Sequence, residues 1–220
     1  MQVFLRLSII VACTVWLSTP VSVGQINSDE ALLSRRIRGV EVRRTNIHLV
    51  LSYISESYEV PIGLEVAGEG ANNREIYVNL QNTTLREVLN TIVAEDSRYE
   101  WRVHHGVINF SPRTDRDNFL KEVLDTKVRE FSIKKRINSF DLRRDIADLP
   151  EVKRKFEEAG VTPAISAFTN ADSRDLGEFR LRTSDTTLRD ILNKIIETSE
   201  LKYWIVNRDG PRGEYVILNF

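Results

Sequence analysis

The stretch NTTLREVLN, residues 82–90, decides the fold of this chain, because it returns as DTTLRDILN at residues 185–193. In the first copy, Leu85, Val88 and Leu89 recur at helical spacing, which predicts an amphipathic helix. Thr84 followed three residues later by Glu87 predicts a capping box at the start of that helix. Two copies of one helix entry predict that the chain is built from a repeated unit.

The residues around each copy repeat as well. A strand with alternating apolar residues precedes each helix, and an aromatic strand and a hairpin follow it. In the hairpin of the first copy, Gly106 supplies the turn. The matched pairs are Ile76 and Phe179, Val78 and Leu181, Trp101 and Trp204, and Val103 and Val206.

Further upstream, each unit begins with a strand and a helix. Residues 39–42 alternate as a strand, Thr45 or Asn46 caps a helix that ends before Pro61, and residues 62–66 alternate again. In the second unit, residues 131–133 form the strand, Asn138 or Ser139 caps the helix, and residues 164–168 form the next strand. Residues 25–35 are polar and are predicted to be loose.

The order β-α-β-β-α-β-β predicts an α+β fold with two tandem blocks whose helices pack on small, mainly antiparallel, mixed sheets. The first repeat spans residues 36–112, a linker spans 113–126, and a second, enlarged repeat spans 127–220. Two tandem domains fit this pattern better than one merged fold, since two units are too few for a solenoid.

Residues 1–24 are predicted to be a secretory signal peptide cleaved before Gln25, although a retained membrane anchor stays open. Arg6 precedes an apolar run that is too short to span a bilayer. The only cysteine, Cys13, lies inside this run, and a lipoprotein processing site there is disfavoured because little apolar sequence precedes it. The 31 basic and 32 acidic residues balance, which argues against nucleic-acid binding. The mature chain is therefore expected to be periplasmic or secreted, without a membrane span.

The pattern from Ile76 through Leu89, followed by the aromatic strand around Trp101 and the hairpin to Phe110, resembles the short N-terminal domain shared by secretins and TonB-dependent signal transducers. The resemblance covers residues 40–112 well and 128–220 less well, because residues 150–174 are enlarged. It implies a periplasmic interaction module at an outer-membrane assembly. The chain has no room for a channel or a barrel, so we expect an accessory component.

Five basic residues are candidate partner contacts, because basic pairs or triplets follow the first predicted strand of both repeats. They are Arg43, Arg44, Lys134, Lys135 and Arg136. The adjacent His104 and His105 are a poor metal site, since neighbouring strand residues point to opposite faces. Trp101 and Trp204 are both expected in the core.

We therefore expect a non-enzymatic protein–protein interaction module with no cofactor, no metal and no catalytic residue. Its partner would be an envelope protein, and self-association through edge strands is a further possibility. The alternative is a protein that binds a small ligand or a cell-wall glycan in the crevice between the two repeats.

Overall fold

The computed structural model describes residues 23–67, 74–113, 119–163, 174–209, 213 and 215–220, and within them the α+β fold is confirmed. In chain order its elements are α1 (Val23–Leu33), β1 (Arg36–Thr45), α2 (Ile47–Tyr58), β2 (Ile62–Glu65), β3 (Ile76–Thr84), α3 (Leu85–Glu95), β4 (Tyr99–His104), β5 (Val107–Pro112), α4 (Phe119–Leu124), β6 (Lys127–Asn138), α5 (Ser139–Ala147), α6 (Pro150–Glu158), β7 (Thr162–Pro163), β8 (Asp175–Thr187), α7 (Leu188–Thr198), β9 (Tyr203–Asp209) and β10 (Tyr215–Asn219).

A helix precedes the first strand of each repeat. The helix α1, which precedes β1, occupies residues that were expected to be loose, and α4 precedes β6 in the same way. The backbone amide of Leu85 donates to the carbonyl of Arg35, and that of Leu188 donates to the carbonyl of Thr126. These equivalent bonds show that the segments α1 and α4 belong to the repeat. The strand predicted at residues 164–168 lies outside the described residues.

The repeated stretch begins each of the helices α3 and α7 with the same backbone conformation. Asn82 and Asp185 both have a positive φ, near 50°, which Asn and Asp tolerate better than other residues with a side chain. The predicted capping box at Thr84 and Glu87 is confirmed, and Thr187 and Asp190 form a second one. The repeat is therefore a turn and a helix start, encoded twice.

A six-stranded sheet joins the two repeats, in the order β4-β5-β2-β9-β10-β7. The strand β2 of the first repeat pairs in parallel with β9 of the second, with Ile62 opposite Tyr203 and Glu65 opposite Val206. The other strands form two separate antiparallel pairs, β1 with β3 and β6 with β8. The units that the sequence predicted as two domains thus share their largest sheet.

The shared sheet is covered on both faces, and each repeat supplies the helices for one of them. Alternate residues of β9 point in opposite directions: Tyr203 and Ile205 enter the core of the first repeat, and Trp204 and Val206 enter the core of the second. The first face carries α2 and α3, and the second face carries α5 and α7. Because β9 is buried from both sides, its first four residues are all buried.

The two halves of the sheet are related by a half turn combined with a shift of three strands. The first repeat contributes β4-β5-β2 and the second contributes the equivalent β9-β10-β7 in the same lateral order. The equivalent strands β4 and β9 nevertheless run in opposite directions, since β5 is antiparallel to β4 and parallel to β2, which is parallel to β9. Equivalent side chains such as Trp101 and Trp204 therefore face opposite sides.

The junction between the repeats depends on a glycine. The indole of Trp204 lies directly over Gly63, where a Cβ atom would come within 2.2 Å of Cε2 and Cζ2. Trp204 is fully buried, and its Nε1 donates to Asn193 Oδ1 at 2.9 Å, so the ring is held in place. A glycine in a strand often marks such a close approach, and this was the one trace of the junction in the sequence.

We predict that the capping box makes the protein sensitive to acid. Hydrogen bonds from the Thr83 hydroxyl, and then from the amide and hydroxyl of Thr84, lower the pKa of Glu87 from 4.5 to about 2. The resulting stabilisation is present above pH 4.5 and is lost as the pH falls toward 2. Thr83→Val should therefore be less stable than wild type at neutral pH, with a difference that shrinks in acid.

Urea unfolding at several pH values between 2 and 7 measures this difference. The matched control is Thr91→Val in the same helix, because the Thr91 hydroxyl donates to the backbone carbonyl of Glu87, which does not titrate. Its effect should be independent of pH. Parallel pH profiles for the two variants would contradict the prediction.

We predict that Gly63→Ala destabilises the protein by about 1–3 kcal/mol or more, because the buried indole cannot yield to the new methyl group. Gly39→Ala is the matched control, since a Cβ there would meet Gln81, at 2.6 Å from its terminal Oε1, and a flexible side chain can move away. Urea unfolding measures both. In a Trp204→Ala background the penalty of Gly63→Ala should largely disappear, and a penalty of equal size there would refute the contact.

Candidate functional site

The five basic candidates lie within strands rather than after them. Arg43 and Arg44 belong to β1, and Lys134, Lys135 and Arg136 belong to β6, because both strands extend further than the sequence predicted. All five side chains are exposed. The two groups lie on separate two-stranded sheets, so the structure does not join them into one surface through strand pairing.

Four of these five basic residues pair with acids of the same chain. Arg43 Nη2 lies 2.7 Å from Glu41 Oε1, Arg44 Nε 3.5 Å from Glu75, Lys135 Nζ 2.7 Å from Asp145 and Arg136 Nη2 2.5 Å from Asp175. Exposed pairs of this kind exchange readily with solvent and with partners. The basic residues remain available to an acidic partner, but they do not form a concentrated positive patch.

The strand β4 is the more distinctive surface, because it ends the shared sheet. It pairs with β5 on one side, and on its other side no strand of the described residues pairs with it. Trp101 lies in the middle of this β4 edge and is only half-buried, although the sequence predicted it in the core. The prediction held for Trp204, which is fully buried, and only in part for Trp101, which packs against the first core from its edge.

The two tryptophans differ because of their neighbours and not because of their own repeats. Trp101 Nε1 donates to Asn90 at 3.2 Å, just as Trp204 donates to Asn193 at 2.9 Å, and in both cases the asparagine lies on the repeated helix. The strand β2 covers Trp204, whereas no described strand takes the corresponding place beside Trp101. The open side of β4 therefore corresponds to the side of β9 that β2 occupies at the junction.

A buried ion pair accompanies the junction. Arg189 on α7 reaches across to Glu65 on β2, with Nη2 2.9 Å from Oε2, and it also lies 3.5 Å from Asp125. Glu65 is 3% exposed and Arg189 is 18% exposed. Breaking such a pair by removing one partner typically costs about 3–5 kcal/mol. The equivalent arginine in the first repeat, Arg86, pairs with Glu30 of α1 at 2.6 Å in an exposed position.

A groove of about 720 Å³ runs between the two repeats, and polar and aromatic groups line it. His48 on α2 forms a hydrogen bond between Nδ1 and the Tyr203 hydroxyl at 2.9 Å, and the two rings stack. Burial lowers the pKa of His48 and raises that of Tyr203, so both are neutral near pH 7. The remaining lining residues are Ser52, Glu56, Glu59, Arg174, Ser199, Glu200, Leu201, Lys202, Ile205, Asn219 and Phe220.

This inter-repeat groove was predicted only as a crevice of unknown lining. His48 is separated from Tyr203 by most of the chain, and the β2–β9 pairing brings them together. Local sequence patterns carry no information on such a long-range pair, and a partly buried histidine next to a tyrosine has no spacing motif.

Of the two adjacent histidines, His104 is the last residue of β4 and His105 lies on the turn that follows it. His104 Nε2 is 2.9 Å from Asp190 Oδ1, which links the β4–β5 turn to the second capping box, and His105 has a positive φ. In the described ranges, His, Cys, Asp and Glu residues do not gather in groups of three or more that could hold a metal ion. No helix in the same ranges is both long and apolar enough to cross a bilayer.

Comparison of the chain with protein families, curated proteins and solved structures finds no match. The resemblance to the short N-terminal domain of secretins and TonB-dependent transducers therefore remains a prediction from the residues alone.

Proposed function

We propose that this protein is a non-enzymatic interaction module that binds a protein partner by adding a strand to its open sheet edge. The observation that carries this proposal is the β4 edge, where backbone groups and the half-buried Trp101 lie at the end of a six-stranded sheet. An unpaired edge is a template for strand addition unless charge, proline or a covering segment blocks it. The strand β4 contains no proline, and its two charged residues, Glu100 and Arg102, pair with each other at 2.9 Å.

The proposed location is the periplasm or the extracellular space, as part of an outer-membrane secretion or signalling assembly. Two features of the sequence support it: the signal-like pattern of residues 1–24 and the resemblance of residues 40–112 to a periplasmic domain family. The exposed basic residues of β1 and β6, among them Arg43 and Lys135, would add a salt-dependent contribution to partner binding.

We predict that Trp101→Glu reduces the capture of a specific partner from an envelope extract at least tenfold, because a charge on the edge strand blocks strand addition. The substitution replaces a half-buried residue and no fully buried one. Capture is measured by affinity purification and quantitative mass spectrometry, with circular dichroism to show that the variant folds. The matched control is Tyr77→Glu, which alters an exposed aromatic residue on β3 and should leave capture unchanged. Equal capture by wild type and Trp101→Glu would refute the role of this edge.

The inter-repeat groove favours a second candidate function, the binding of a small ligand or cell-wall glycan. Its stacked His48–Tyr203 pair and its ring of carboxylates and cations resemble the polar and aromatic lining of sugar sites. We predict that soluble disaccharide-peptide fragments of peptidoglycan bind saturably to wild type in calorimetry and that His48→Gln weakens this binding at least tenfold. His105→Gln, outside the groove lining, is the control. An absence of binding at millimolar fragment concentration would exclude this function.

A further inference from the structure

The junction between the repeats is a complete example of a strand docked against the tryptophan-bearing strand. There β2 runs parallel to β9, with Gly63 opposite Trp204 and Glu65 opposite Val206. The glycine admits the indole, and the glutamate pairs with Arg189 of the overlying helix. Three properties thus define the docked strand: its parallel direction, a glycine at one position and an acid two residues later.

The first repeat presents the same acceptor, on which none of the described strands is docked. Trp101 keeps the hydrogen bond to the repeated helix that orients Trp204, so its ring projects over the same position beside its own strand. Arg86 occupies the position of Arg189 in the repeated sequence and lies at the exposed end of α3, paired with Glu30. An incoming carboxylate can compete for Arg86, because exposed pairs hold their partners weakly.

The two acceptors differ on the opposite face. At the junction Tyr203 and Ile205 continue the first core beside Ile62 and Leu64 of β2, but their equivalents in β4 are charged. These are Glu100 and Arg102, with Arg102 mostly exposed. A strand docked on β4 therefore needs polar residues on this face, where β2 has apolar ones.

We infer that the β4 edge binds an extended segment of a partner protein that runs parallel to β4, with glycine opposite Trp101, an acidic residue opposite Val103 and polar residues opposite Glu100 and Arg102. This inference rests on the proposed function and specifies the partner's chemistry. The strand β2 itself does not fit the pattern, since Ile62 and Leu64 would face solvent. At the other edge of the six-stranded sheet lies β7, which has two paired residues, one of them Pro163, and is too short to fill the length of β4.

The test uses a synthetic peptide of residues 59–67 of this chain carrying Ile62→Thr and Leu64→Thr, titrated into the whole mature protein and followed by NMR. The expected result is a set of chemical-shift changes confined to β4, its neighbour β5, the Trp101 indole and the start of α3 around Arg86. The same peptide with Gly63→Val should bind at least tenfold more weakly, because its side chain would meet the indole. The peptide with Glu65→Lys should also lose affinity.

Substitutions in the protein check the same contacts. Trp101→Ala should bind the glycine and valine peptides equally, since the discriminating ring is gone, and Arg86→Gln should no longer distinguish glutamate from lysine. Changes that centre on the groove or on β7, equal affinity of the glycine and valine peptides, or no changes at about 1 mM peptide would each overturn the inference. Concentration-dependent β4 shifts in the peptide-free protein would do so as well, because they would identify a second copy as the occupant.

The inference and the proposed function fail in different ways. If an envelope partner is captured through Trp101 but the peptide does not bind β4, the interaction module stands and the strand pattern is wrong. If the peptide binds β4 as described but no envelope protein is captured, the acceptor is real and the proposed function is wrong.

Discussion

The parallel pairing of β2 with β9 is the constraint on which the rest of the structure depends. It places Gly63 under the buried indole of Trp204 and brings Glu65 to Arg189, and both contacts cross from one repeat to the other. It also sets the reversed orientation of the second repeat, because a parallel partner for β2 must run against the direction of β4. This one pairing places β9 side chains in both cores and along the inter-repeat groove.

Because of this pairing, nearly identical sequences end in different environments. The two repeats share their helix entry, their capping boxes and the bond from tryptophan to asparagine. Their tryptophans nevertheless differ in burial, since one lies in the middle of a sheet and the other at its edge. The burial of each tryptophan therefore depends on whether another strand lies beside it. The first repeat thus has one sheet edge, β2, paired internally and the other, β4, unpaired within the described residues.

The sequence predicted what short-range patterns determine. For the first repeat, the order of elements from β1 to β5, the Thr84 cap and the hairpin turn at Gly106 follow from spacing and turn chemistry, and all three are observed. The shared sheet was not predictable, because the alternation in residues 62–66 indicates a strand but not which other strand pairs with it. The helix α1 was missed since its sequence is polar and its apolar face is weak. Arg43 and Lys135 were predicted as partner contacts from their charge alone. The structure shows that each of them pairs with an acidic residue of the same chain.

The place of β9 near the end of the chain has a consequence for how the protein folds. Tyr203 and Ile205 belong to the core of the first repeat, although more than half of the chain separates them from their neighbouring strand β2. During synthesis the N-terminal half therefore emerges with an incomplete core and with β2 paired on one side only, to β5, and it must wait for the last strands. Contacts this distant in sequence slow folding and expose the incomplete half to misassembly, so a chaperone that shields β2 would assist it.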